Sequence, residues 1–194
     1  MILYYAPGAC SQASHIALIE AGLPHQIVKV GRDRVTEDGR DFNRINPKGY
    51  TPALDLGDGE ILTENLAILA YVADRSGQLL AASGMARWRA LEATAFMTTE
   101  VHRQFLPFFR DGSAEAKEAA AQMLQTRFAT LAEQLGDQPF LIGAQMTIAD
   151  CYLFVMLSWA AMMEIPVGPR LDSYRERMQA VPSVAQALRA EQLA

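Results

Sequence analysis

The sequence predicts an α+β unit followed by an all-α helical bundle, on three observations. Every β-prone run falls within residues 1–77, no strand pattern recurs after Gln78, and beyond that point apolar residues repeat at steps of three and four. The chain has 194 residues, half of them apolar (51%) and a fifth charged (20%), which is the balance of an ordinary globular protein with room for two small domains.

Taken in order, Ile2 to Tyr5 is a short strand broken by Pro7-Gly8, and Ser11 to Ala21 follows as a helix. His25 to Val30 is a second strand, Gly31 to Arg40 a charged loop, and Asp41 to Asn46 at most one short helix stopped by Asn46-Pro47-Lys48-Gly49. A hairpin comes next, with Ala53-Leu54-Asp55-Leu56 and Glu60-Ile61-Leu62-Thr63 joined through Gly57-Asp58-Gly59. Leu66, Leu69, Val72 and Ala73 mark a third helix, so residues 1–77 read β-α-β-α-β-β-α. Residues 78–86 form a short linker, and 87–194 the helical domain.

Within that domain Trp88, Leu91, Ala95, Thr98, His102, Phe105 and Phe109 fall on one face of a long helix whose end Pro107 bends. Met123, Leu124, Arg127, Phe128, Leu131 and Leu135 mark the next. Ile148 to Ile165 is nearly all apolar, yet too short and too early interrupted by Asp150 to cross a membrane, so it reads as a buried helix. Thr147 and Asp150 stand three apart at its entry, the spacing at which each side chain satisfies the other's free backbone N–H. Leu171 to Ala180 and Ser183 to Leu193 complete the set.

Composition narrows the function. Seventeen Lys and Arg against 22 Asp and Glu leave a net charge of −5 with no basic cluster, which argues against nucleic acid as a partner. Two cysteines are too few for a disulfide framework, and the N-terminus has no long apolar run of a signal peptide, so a reducing cytoplasm is the expected compartment. His15, His25 and His102 are not spaced as metal ligands, and no metal is expected. His15 and His25 read as structural or exposed.

Cys10 is the informative residue. It falls where the first strand gives way to a helix, so free N–H groups and the helix dipole favour its thiolate. A thiol of pKa about 8.5 is roughly 3% ionised at pH 7, and one of about 6.5 roughly 75%. The alternative is a small buried hydrophobe. A dithiol cycle would need a second cysteine at position 13, where the chain has Ala13, and Cys151 reads as core packing. A lone reactive sulfur in a reducing compartment takes its second thiol from outside, and glutathione is the abundant one.

The run Tyr4-Tyr5-Ala6-Pro7-Gly8-Ala9-Cys10-Ser11 and His15-Ile16-Ala17-Leu18, then Asn46-Pro47-Lys48-Gly49, Thr51-Pro52, Leu62-Thr63-Glu64, Glu100-Val101-His102 and Thr147-x-x-Asp150, resembles the bacterial beta-class glutathione S-transferases across nearly the whole chain. The resemblance implies a thioredoxin-like first domain, a helical second domain, a homodimer, no tightly bound cofactor, and glutathione as co-substrate at the domain seam. It assigns Cys10 and His102 to the glutathione sulfur as catalytic residues. Thr51 would pair with the tripeptide backbone beside a cis Pro52. Glu64 would meet the ligand's ammonium, the N–H groups at Asn65 its γ-glutamyl carboxylate, and Arg34 its glycyl carboxylate. Thr99, Glu100 and Arg103, flanking His102, join the glutathione-binding set. Tyr5, Phe105, Phe109 and Trp159 would line a pocket for a small apolar electrophile, although on periodicity Phe105, Phe109 and Trp159 are mainly core. Ala95 stands where some relatives carry an asparagine near the sulfur.

Three functions therefore compete: conjugation of glutathione to an electrophile, glutathione-dependent disulfide reduction through Cys10, and a non-catalytic binding protein that keeps the fold.

Overall fold

The structure is a computed structural model and describes residues 1–193; Ala194, the last residue of the expected helical domain, lies outside them. The elements in chain order are β1 (Ile2–Tyr5), α1 (Ser11–Glu20), β2 (Gln26–Lys29), α2 (Phe42–Ile45), β3 (Ala53–Asp55), β4 (Ile61–Thr63), α3 (Asn65–Ser76), α4 (Gly84–Phe96), a π turn (Met97–Val101), a 3₁₀ turn (His102–Phe105), α5 (Leu106–Phe109), α6 (Ala114–Leu135), α7 (Ile148–Met162), α8 (Pro169–Gln179) and α9 (Pro182–Ala190). They form two compact units: one of Met1–Leu80 with residues 181–193, the other of Ala81–Ala180.

In the first unit the sheet order is β2-β1-β3-β4, with β1 and β2 parallel and the remaining pairs antiparallel. This is the β-α-β-α-β-β-α order read from the sequence. Side chains alternate along β1, so Leu3 and Tyr4, both buried, face opposite sides of the sheet. Tyr4 packs with Val30, Phe42 and Ala53, its ring 5.8 Å from that of Phe42. Helix α1 lies against both α3 and α9, so α9 packs with the first eighty residues rather than with the helices of residues 81–180.

In the second unit α7 is almost entirely buried, Cys151 included, as its apolar run predicts. Its start carries the expected capping box: the Thr147 side chain accepts the Asp150 backbone N–H, and Asp150 Oδ2 accepts the Thr147 N–H at 2.7 Å and the Thr147 hydroxyl at 2.8 Å. The Leu141 N–H and the Tyr174 hydroxyl donate to the other carboxylate oxygen, at 2.7 and 2.6 Å.

The long helix predicted through Trp88 and Phe109 is corrected. It divides after Phe96 into a π turn, where the His102 N–H reaches five residues back to the Met97 carbonyl, and then a 3₁₀ turn, where the Leu106 N–H reaches three residues back to the Arg103 carbonyl. Pro107 explains the second step: it has no N–H to offer the Arg103 carbonyl four residues earlier, so Leu106 supplies it. Widening and then tightening the turn changes the phase, and the stripe does not share one face. Phe105 is fully buried, whereas Trp88 is 60% and Phe109 46% exposed.

Candidate active site

The first unit gathers Cys10, Thr51, Pro52, Glu64 and Asn65. Cys10 caps the start of α1 in helical geometry, and the Asn65 side-chain amide donates to its carbonyl at 2.8 Å. Asn65 in turn accepts the Ser14 hydroxyl at 2.5 Å, which ties the first turns of α1 and α3 together. The Thr51-Pro52 bond is cis, as expected, and the Cys10 thiol donates to the Thr51 carbonyl at 3.7 Å.

That thiol departs from the anion expected at a helix start. The N–H groups of Cys10 and Ser11 do pull its pKa down, but burial outweighs them and Glu64 adds to it, so the pKa is pushed up to about 12. The residue keeps some exposure, yet the sulfur itself is buried enough that charge on it is costly. The resting side chain is a neutral S–H donor.

Glu64, at the mouth of α3, accepts Lys48 Nζ at 2.6 Å and the Tyr50 hydroxyl at 2.8 Å. Lys48 first, then Tyr50, holds its carboxyl below the usual range despite partial burial. Neither partner is apparent from the sequence, since sixteen and fourteen residues separate them from Glu64. Arg34 is exposed in the loop before α2 and folds over Gly49, where a Cβ would come within 2.1 Å of its guanidinium. That close approach, at φ 72°, explains the glycine of Asn46-Pro47-Lys48-Gly49.

Tyr5 is 6% exposed, its ring 6.2 Å from that of His15, so little of it is left for a ligand to touch. Beside it lies a buried arrangement the sequence hides. The Glu191 carboxylate, beyond α9, meets His15 Nδ1 at 2.8 Å, the Gln12 amide at 3.2 Å and the Gly8 N–H at 3.0 Å. The last residues of the chain thereby brace the loop that carries Cys10.

The second unit brings together His102, Phe105, Phe109 and Trp159. The Trp159 ring lies edge-on to His102 at 5.0 Å, to Phe105 at 5.3 Å and to Phe109 at 4.8 Å. His102 Nδ1 is 2.6 Å from the hydroxyl of Tyr152, a residue of α7 that helical periodicity places in the core and nothing else singles out. Thr99 and Arg103 are exposed, the Thr99 hydroxyl bonding the Ala95 carbonyl at 3.2 Å. Glu100 pairs with Arg127 at 3.0 Å. A cleft of about 550 Å³ between the end of α6 and α8 contains none of the predicted residues, and its Arg170 and Arg177 already bond the backbone carbonyls of Ala132 and Pro139.

Burial lowers the pKa of His102 below the ordinary value of about 6.5. A proton NMR titration is expected to put its midpoint below 6.5. Because the unfolded chain takes up that proton first as pH falls, the histidine leaves stability unchanged above about pH 6.5 and subtracts from it below. A midpoint at or above 6.5 would contradict this. No helix among the described residues is long and apolar enough to cross a membrane.

Two family profiles match the chain: "Glutathione S-transferase, N-terminal domain" over residues 8–75 and "Glutathione S-transferase, C-terminal domain" over residues 114–186. The chain is 39% identical to glutathione S-transferase GstA of Escherichia coli O157:H7, over the full length of both. Among solved structures it is similar to a sphingomonad glutathione S-transferase complexed with glutathione, at 42% identity and a TM-score of 0.93, covering all of both chains. It is equally similar to the bacterial beta-class glutathione S-transferase of Sphingomonas chungbukensis, at 41% identity and a TM-score of 0.94, again over both full chains.

Proposed function

The chain belongs to the glutathione S-transferase family, and we propose that its reaction is the conjugation of glutathione, as the thiolate, to small apolar electrophiles. The observation that carries the residue assignment is the Cys10 sulfur at the start of α1, bonded to the carbonyl beside the cis Thr51-Pro52 bond.

In this reading the tripeptide pairs as an added strand with Thr51. Its ammonium takes the Glu64 carboxylate from Lys48 and Tyr50, its α-carboxylate meets the N–H groups that open α3 at Asn65, and Arg34 reaches the glycyl carboxylate. Cys10 turns its S–H from the Thr51 carbonyl to the glutathione sulfur, and His102 is assigned a catalytic role through the family resemblance. Donors aimed at a thiolate favour the charged form, so the glutathione thiol releases its proton to solvent more readily than in water. The sulfur pair then forms a bond to the electrophilic carbon while the leaving group, such as chloride, departs with the bonding pair. Phe109 supplies exposed apolar surface for that partner, with the buried Phe105 and Trp159 packed behind it. Thr99, Glu100 and Arg103 are assigned to glutathione through the family resemblance. A homodimer and a cytoplasmic location belong to the same reading.

The neutral Cys10 thiol favours conjugation over disulfide reduction, because the second reaction needs Cys10 itself as the attacking thiolate. The test is calorimetry with glutathione together with chloride release from a chloronitroarene. Saturable heat and glutathione-dependent chloride support the proposal; heat without chloride release from any chloroarene, or reduction of glutathione mixed disulfides in its place, overturns it.

A further inference from the structure

Resting on the reading that His102 is catalytic, we propose that Tyr152 is a positioning residue that fixes His102 as the Nε2–H tautomer, making the imidazole a hydrogen-bond donor and not a base.

The argument starts from the 2.6 Å contact between His102 Nδ1 and the Tyr152 hydroxyl. Either group has a proton to give, so chemistry sets the direction. A phenol is a far stronger acid than a neutral imidazole N–H, and an imidazole nitrogen is a far stronger base than a phenolic oxygen. The favoured arrangement has the Tyr152 O–H donating to a bare Nδ1, which leaves the single imidazole proton on Nε2. Tyr152 is 1% exposed, so water does not compete for this contact, and its ring stands edge-on to His102 at 6.1 Å. Trp159 packs edge-on at 5.0 Å. Held by these rings, the imidazole does not turn over to exchange its nitrogens. Burial keeps the ring neutral near pH 7, the state in which a choice of tautomer exists. An Nε2–H group can donate to an anion but has no lone pair with which to accept a proton.

The test uses the full chain with ¹⁵N-labelled histidine. Long-range proton–nitrogen correlation separates a protonated from a bare ring nitrogen. At pH 8 the parent is expected to show His102 with bare Nδ1 and protonated Nε2, and Tyr152→Phe a mixture of both forms, with the His15 and His25 signals unmoved as evidence of an intact fold. A protonated Nδ1 in the parent, or an unchanged tautomer in Tyr152→Phe, overturns the proposal. Tyr152→Phe should also lower kcat about tenfold, the worth of one lost hydrogen bond, with KM for glutathione within about twofold. If the tautomer shifts and kcat does not, the tautomer assignment stands and it is the catalytic role of His102 that fails.

Discussion

Asp150→Ala is expected to cost about 3–5 kcal/mol and to lower the melting temperature by about 10 °C or more. Both carboxylate oxygens are used. The Leu141 N–H and the Tyr174 hydroxyl bond one, while the Thr147 N–H and hydroxyl bond the other, all at 2.6 to 2.8 Å. Asp150 and Tyr174 are both fully buried, so alanine leaves the Leu141 N–H and the Tyr174 hydroxyl without a partner where water cannot replace it, and strips two more bonds from the half-buried Thr147. Burial raises the Asp150 pKa, and the four hydrogen bonds work against that rise. Asp150→Asn should lose less, since one oxygen still accepts while the amide meets a donor at the other position. Glu92→Ala, which removes only an exposed pair with Arg89, serves as the control and should leave the transition where it was. Thermal unfolding followed by circular dichroism decides the matter, and a shift of Asp150→Ala no larger than that of the control would refute the account.

The second large effect concerns Cys10. With a pKa of about 12, its thiolate fraction near neutrality lies about three orders of magnitude below that of a thiol of pKa about 8.5. A more basic thiolate is intrinsically more nucleophilic, which recovers part of the difference, so labelling by a disulfide reagent at pH 7 should be about a hundredfold slower than for a small free thiol. The rate should climb tenfold per pH unit with no plateau below pH 10. Cys10→Ser should abolish this slow phase, because Cys151 is buried. The same substitution should retain part of the conjugation activity, since a serine hydroxyl also donates to a thiolate, while any disulfide reduction should vanish. Rapid labelling with a midpoint near pH 7 would show that Cys10 rests as an anion.

Much of the fold was legible because it rests on local patterns. The alternation and turn residues of β3 and β4, the Thr147 and Asp150 pair, and the apolar run of α7 each reflect physics that acts within a few residues. The division of the long helix was not legible from periodicity, since the same stripe fits a continuous helix; only the consequence of Pro107 for the Arg103 carbonyl hints at it. At the site, the place of Cys10 at a helix start could be read, but the charge state of its sulfur could not. The helix N–H groups are visible in the sequence, and the burial that outweighs them is not. Tyr152 and Glu191 escaped for a related reason. Their partners His102 and His15 lie 50 and 176 residues away, so neither contact leaves a spacing to recognise.

The return of α9 to α1 bears on how the chain acquires its shape during synthesis. Residues 81–180 are made, and free to collapse, before residues 181–193 have been added. The first unit emerges earlier, yet waits for Glu191 to bond His15 and the Gly8 N–H in the loop ahead of Cys10. The part translated first is therefore completed only after the whole second unit has been made, so the two units cannot mature in the order in which they are encoded.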